Sequence, residues 1–361
     1  MLKVLFITRK WAPAVGGMET YSLELSEELS KICELNTRSL SGCSDGKPPA
    51  LLSLVFFALS SMLFIAVRKR YDVIHIGDLV LWPLGLIARI FHPSTRLVIT
   101  AYGLDIVYGS RKGLLPKIYG FYLALGVKLV GKCLQVIAIS NSTGDLCRNA
   151  GFSNVTVVTL GVSPSNNHRV DTYTIKPYVL FVGRLVKRKG AAWFATNVLP
   201  LVDNHIKMVV VGKQWDDSEW HVLSNNPRVE YRGVVTNEEL FELRRLALAV
   251  LMPNIPTGGN DIEGFGLTAL EAAADGGVLL ASGIEGIVDA VRDGKTGFLL
   301  PCDEPSAWAN KIDEVCNWTA EDRGLFIQKA HRIIEEEYSW SKVASNTVSV
   351  YLTDSESRED K

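Results

Sequence analysis

Two patterns of apolar residues alternate along the chain. The first is a short, largely apolar run: Leu2–Thr8, Asp72–Ile76, Arg96–Thr100, Leu134–Asn141 and Val155–Val162 in the first half, where the more polar Leu35–Leu40 also reads as a strand. Tyr178–Gly183, Lys207–Val211, Ala247–Met252, Val278–Ser282 and Thr296–Leu300 continue it in the second half. Short runs rich in β-branched residues suit parallel strands buried on both faces. The second pattern has helical periodicity, as in Thr20–Ile32, in the stretch ending near Ala150, in Leu270–Ala274 and in Glu304–Val315. Strand and helix in turn, twice over, predict two α/β, doubly wound, Rossmann-like domains. The polar, proline-bearing stretch Ser163–Pro177 between them reads as a linker.

Leu51–Val67 fits neither pattern. It is an uncharged run of 17 residues followed by Arg68-Lys69-Arg70. Its length is at the lower limit for crossing a bilayer, and Asp72–Ile76 resumes the sheet at once. The expectation is a helix packed in the first domain and touching lipid from outside, not a spanning segment. Charge supports a membrane partner. Residues 1–160 hold 17 Lys/Arg against 10 Asp/Glu, the rest 21 against 29, and Ile106–Gly144 has five basic residues and no acidic one. Such a field favours an anionic surface or acceptor.

Composition adds limits. With 361 residues, 47% hydrophobic and 21% charged, the chain has material for two cores. Its six cysteines are scattered without a C-x-x-C pair, which suggests a reducing compartment, no disulfide framework and no zinc site. No secretory signal is read at the start, so a cytoplasmic location, peripheral on the cytoplasmic face of a membrane, is expected.

The chemistry gathers where strands end. Trp11–Glu19 contains Gly16-Gly17, a glycine loop between strand and helix, with Arg9 and Lys10 beside it. Gly183-Arg184 and Lys189 place two cations on one loop, matching a diphosphate better than a single phosphate. After the apolar run ending at Met252, Asp261-Ile-Glu263-Gly264-Phe265-Gly266-Leu267-Thr268-Ala-Leu-Glu271 sets two carboxylates on either side of a glycine turn at a helix start. Amides at such a start bind anions, while the flanking carboxylates can accept from sugar hydroxyls. Two other readings stay open. Thr268…Glu271 also fits a capping box. Gly264-Phe-Gly266-Leu-Thr-Ala269 also fits a dinucleotide fingerprint with Glu285 on a ribose, which would make the protein a nicotinamide-dependent oxidoreductase.

Taken together and in this order, the motifs resemble the retaining GT-B glycosyltransferases of family 4 (group 1). Glu263 and Glu271 match its E-x7-E signature, Gly16-Gly17-Met-Glu19 its G-G-x-E loop, and Gly183-Arg184-Leu-Val-Lys-Arg-Lys189-Gly its G-R-L-x-x-x-K-G. Tyr102-Gly-Leu-Asp105 stands where the family often has His-Gly-x-Asp, so any role that needs an imidazole is lost there. The resemblance implies two facing domains, 1–165 on the acceptor side and 178–338 for the nucleotide sugar, with a donor cleft between them. A linker at 166–177, a last helix at 339–354 returning to the first domain and a disordered tail at 355–361 complete that plan. It also implies transfer from a nucleoside-diphosphate sugar to a glycan, glycolipid or lipid-linked acceptor in cell-envelope or polysaccharide synthesis, with no metal, cofactor or nucleic acid. Glu263, Arg184 and Lys189 would act in catalysis. Gly17, Gly183, Val234, Val235, Gly264 to Thr268 and Glu271 would bind donor, and Tyr102 and Asp105 would touch donor or acceptor. A GT-B sugar-nucleotide epimerase and a silent nucleotide-binding protein share these motifs.

Overall fold

The computed structural model describes residues 1–14, 16–43, 49–68, 70–163, 174–258 and 261–353. Most of the expected linker, the expected disordered tail, Val15 and Lys69 lie outside the described residues. Contacts divide the chain into two compact units, one formed by Met1–Leu160 with the segment from Trp340 onward, the other by Gly161–Ser339.

The first unit is a six-stranded parallel sheet in the order β2-β1-β3-β4-β5-β6. Its strands are β1 (Lys3–Thr8), β2 (Glu34–Ser39), β3 (Val73–Ile76), β4 (Arg96–Ala101), β5 (Leu134–Ala138) and β6 (Val155–Val157). The helices are α1 (Gly17–Ile32), α2 (Leu51–Val67), α3 (Pro83–Phe91), α4 (Leu104–Val107), α5 (Leu114–Val130) and α6 (Asn141–Asn149). Because strand side chains alternate, each strand feeds two cores. Leu5, Ile7, Ile74, Ile76, Leu97 and Ile99 join the core beneath α2, α3 and α5. The intervening Phe6, His75 and Thr100 face α1 and the last helix, meeting Tyr21 and Tyr351.

The second unit repeats the plan with the order β12-β11-β10-β7-β8-β9, again all parallel. Its strands are β7 (Lys176–Val182), β8 (Lys207–Val211), β9 (Val229–Gly233), β10 (Ala247–Met252), β11 (Leu279–Ser282) and β12 (Phe298–Leu300). Its helices are α7 (Ala191–Trp193, continuing as a π-helical stretch Phe194–Val198), α8 (Asp217–Ser224), α9 (Asn237–Leu246), α10 (Leu267–Ala274), α11 (Ile287–Ala290), α12 (Pro305–Cys316) and α13 (Ala320–Glu337). The last helix, α14 (Trp340–Leu352), packs on α1 in the first unit.

In both sheets the strand order reverses beside the first strand. In the first unit β2 and β3 flank β1; in the second β8 and β10 flank β7. Loops leaving such a pair of strands diverge and open a crevice at the carboxyl edge, the general ligand position in sheets of this kind.

Candidate active site

In the second unit the crevice lies between the loops after β7 and β10. The β7 loop runs through Gly183 and Arg184 into a 3-10 turn, Lys187–Lys189. Gly190 ends that turn with φ +70°, and a Cβ there would lie 1.8 Å from the Pro253 carbonyl oxygen. Only glycine permits this approach. It brings the turn against the loop after β10, where the Ile255 amide donates to the Arg188 carbonyl at 3.0 Å.

Glu263 sits opposite and receives both cations of that turn. Lys189 Nζ pairs with its carboxylate, Arg188 Nη1 is 2.5 Å from Oε2, and Asn254 Nδ2 donates to the same oxygen at 3.2 Å. Arg188 Nε also lies 3.3 Å from Asp261. Burial alone would raise the Glu263 carboxyl, but Lys189 and Arg188 outweigh it and hold the group down at about 2. Its backbone amide donates to Glu285 Oε2 at 2.6 Å. Glu285 has φ +52°, an unusual backbone for a residue other than glycine, so strain is stored beside this carboxylate.

Arg184 stands apart from the cluster. It is exposed, and its guanidinium lies 5.4 Å from the centre of the Trp215 ring in the loop after β8. Val234, 77% exposed, and the partly buried Val235 follow β9 at the same carboxyl edge.

Gly266 caps α10 with φ +95° and the helix begins at Leu267, so Thr268 is its second residue and not its cap. The capping-box reading therefore fails: a box needs the Thr hydroxyl at the cap position. Gly264 and Gly266 border the turn, Phe265 is buried, and Leu267 and Thr268 are partly exposed at the helix start. Glu271 is engaged by the buried Arg244 of α9, which also reaches Asp275 at 2.8 Å. A free carboxylate awaiting a ribose is thus not what the structure shows; Glu271 is already ion-paired on one side.

In the first unit the corresponding crevice gathers a different set. Gly17 opens α1, and Lys10 Nζ lies 3.4 Å from Glu19. Arg9 Nε is 2.7 Å from Asp78 in the loop after β3. Tyr102 is buried, and burial pushes its phenol well up. Its backbone amide donates to Asp105 Oδ1 at 3.0 Å. Asp105 is raised to about 7, first by desolvation and then by the charge of Asp78.

Glu263 and Lys189 thus meet directly, with Gly183 on the same loop, whereas Gly17, Tyr102 and Asp105 belong to the other unit. Arg188 and Asn254 were missed from sequence. Lys187-Arg188-Lys189 is a run of three cations, and which of them faces the crevice depends on the turn that Gly190 forces. Asn254 carries no motif signal.

Comparison with known proteins follows the same division. Residues 15–166 match Glycosyltransferase Family 4, and residues 176–317 match Glycosyl transferases group 1. The chain belongs to the group 1 glycosyltransferases. An uncharacterised glycosyltransferase of Methanocaldococcus jannaschii is 27% identical over 179 residues, covering 48% of this chain and 44% of that protein. The D-inositol 3-phosphate glycosyltransferase of Paenarthrobacter aurescens is 30% identical over 188 residues, covering 48% and 43%. The matches therefore span less than half the length of these relatives. Among solved structures, sucrose-phosphate synthase of Thermosynechococcus elongatus aligns with TM-score 0.74 and 19% identity, over 97% of this chain and 98% of that one. HepE of Anabaena, crystallised with UDP and glucose, aligns with TM-score 0.68 and 17% identity, over 97% and 99%. With the two parallel sheets, these likenesses establish the two-domain GT-B fold.

Proposed function

We propose that this group 1 protein transfers a sugar, with retention, from a nucleoside-diphosphate sugar to an acceptor hydroxyl. The observation that carries the reading is the pair of cations Arg188 and Lys189 facing Glu263 at the strand-order reversal of the second unit. A diphosphate needs cations at a crevice of this kind, and the start of α10 adds oriented amides. In this reading Lys189, Arg184 and the amides of Gly266 to Thr268 meet the departing diphosphate, whose charge grows in the transition state. The leaving phosphate takes the acceptor's proton, so no separate general base is required. Glu263 accepts from a hydroxyl of the transferred sugar, Glu271 accepts from the ribose with its remaining oxygen, and Val234 and Val235 flank the base. The donor's charge is met by side chains and amides, without metal. Gly17 is read as a donor contact, and Tyr102 and Asp105 as contacts on the acceptor side, for a glycan or lipid-linked acceptor.

The test is a panel of UDP-, GDP- and ADP-sugars assayed by thermal shift and then by product analysis with and without EDTA. One donor raising the midpoint, and a glycoside whose anomeric NMR coupling matches the donor's, with transfer unaffected by EDTA, are expected. Free epimerised sugar nucleotide as the sole product would replace transfer with epimerisation. Inverted product, or transfer abolished by EDTA, would overturn the mechanism.

A further inference from the structure

Three helices of the first unit share one exposure pattern. Phe57 and Ile65 of α2, Leu84 and Ala88 of α3, and Leu123 and Val130 of α5 bury into the same core on one face of the sheet. Helix α3 packs against both α2 and α5, so the three form one layer with a common outer face. That outer face is apolar. Fifteen of the twenty-five exposed large hydrophobic side chains among the described residues lie on these helices. Phe56 is 75% exposed, Leu115 is 72% and Phe121 is 73%, with Leu63, Ile90 and Phe91 also exposed. A water-soluble surface rarely concentrates apolar residues this way without a partner.

Charge identifies the partner. None of the three helices contains Asp or Glu. Arg68 and Arg70 follow α2, Lys112 and Lys132 flank α5, and Lys117 and Lys128 are interleaved with its exposed stripe. Long cationic side chains bordering apolar ones suit a leaflet, where the stems lie along the acyl boundary and the charges reach headgroup phosphates. A second copy of the same face would instead set cation against cation. Among the described residues no helix is long and apolar enough to cross a membrane. Helix α2 is also held to its unit, with His92 Nε2 and the Ile65 carbonyl 2.7 Å apart and Arg38 donating to Ser60 at 3.3 Å.

We propose that the outer face of α2, α3 and α5 docks in the plane of an anionic lipid leaflet, α5 sharing the contact with α2. The proposal does not depend on the reaction assigned above. The experiment is co-sedimentation of the whole chain with vesicles of phosphatidylcholine alone and of equimolar phosphatidylglycerol and phosphatidylcholine, across a salt series. Native protein should pellet with the anionic vesicles at low salt and be released as salt rises. Two exposed-face pairs, Phe56→Glu with Leu63→Glu on α2 and Leu115→Glu with Phe121→Glu on α5, should each lower partitioning by about tenfold or more. Lys117→Glu with Lys128→Glu should flatten the salt dependence, and unfolding midpoints should stay near the native value in all three. Absence of binding to anionic vesicles, or equal binding to phosphatidylcholine alone, overturns the proposal. Binding indifferent to the α5 pair overturns the shared surface. Self-association in lipid-free buffer that the same substitutions dissolve would assign the face to a second copy instead.

Discussion

Glu263 pairs with Arg188 and with Lys189, the latter needed by the proposed reaction for phosphate, and this decides how its removal should read out. The charge of Lys189 and Arg188 holds the carboxyl near 2 instead of 4.5. A depressed carboxyl contributes stability that is complete above the unfolded value and is lost as pH falls toward the folded one. Glu263→Gln should therefore be less stable than native by on the order of 2–3 kcal/mol above about pH 4.5, with the gap closing toward pH 2. Turnover should fall on the order of 10²-fold, as for loss of one transition-state contact, while free nucleoside diphosphate still binds because both cations remain. Urea midpoints across pH, kcat and calorimetric titration with diphosphate check the three parts; lost diphosphate binding would place Glu263 in the phosphate site itself. Glu271 behaves differently because Arg244 already occupies one side of it. Glu271→Gln should cost about 1 kcal/mol of stability and lower donor affinity by roughly 1–2 kcal/mol, since the ribose loses a charged acceptor. A stability change with unaltered donor affinity would leave Glu271 a partner of Arg244 alone.

At the scale of elements, the inner strands such as β1, β3, β8 and β10 were legible because burial on both faces makes each a nearly unbroken apolar run, whereas the edge strands β2 and β9 are polar and half-exposed; α2 was legible from its length of uncharged residues. The contacts between loops were not. Nothing in Lys187-Arg188-Lys189 says that Arg188 joins Lys189 on Glu263, because that follows from Gly190 pressing on Pro253, which leaves the neighbouring strand β10 and lies 63 positions along the chain. Gly190→Ala should accordingly cost several kcal/mol, on the order of 2–4, since the added carbon meets backbone and the φ is left-handed. Gly233→Ala, with φ +69° and open space around it, is the control and should cost about 1 kcal/mol. Equal midpoints for the two variants would mean that the loop contact is not holding the turn. The return of the last helix to the first domain was expected from the resemblance, but the residue that receives it was hidden, because His75 looks in sequence like any strand residue. Its ring nitrogens lie 2.7 Å from the Tyr351 hydroxyl and 2.7 Å from Thr100 Oγ1, and burial lowers it from 6.5 to about 3. The unfolded chain takes up a proton below 6.5 that the native ring refuses. Stability should therefore fall as pH drops from about 6.5 toward 3, by up to about 1.4 kcal/mol per unit. His75→Gln, which keeps hydrogen-bonding capacity without titrating, should lose that part of the slope; an unchanged slope would assign the acid limb to other groups.

For the molecule as a whole, the distribution of charge chemistry between the units sets a last test. Gly183, Arg184, Lys189, Val234, Val235, Glu263 and Glu271 all fall between Gly161 and Ser339, whereas Gly17, Tyr102 and Asp105 fall in the other unit. The second unit has its own six-stranded sheet and its own core, centred on buried side chains such as Phe181, Phe194 and Trp308. Unit one, by contrast, is completed by α14, whose Tyr351 meets His75 and whose Trp340 ring lies 6.2 Å from that of Tyr21. A fragment spanning residues 174–339 should therefore fold alone, whereas a chain ending at Ser339 should leave the first unit without a packed helix and lower its midpoint. If the donor reading is right, the folded fragment should bind nucleoside diphosphate within about 1.4 kcal/mol of the full chain, a factor of ten, because the phosphate cations are all present in it. It should transfer no sugar, because the residues assigned to the acceptor are missing. Circular dichroism establishes folding, titration calorimetry measures binding, and product analysis measures transfer. A folded fragment without diphosphate affinity would show that the first unit supplies a phosphate contact, with Arg9 and Lys10 at the end of β1 the first residues to substitute.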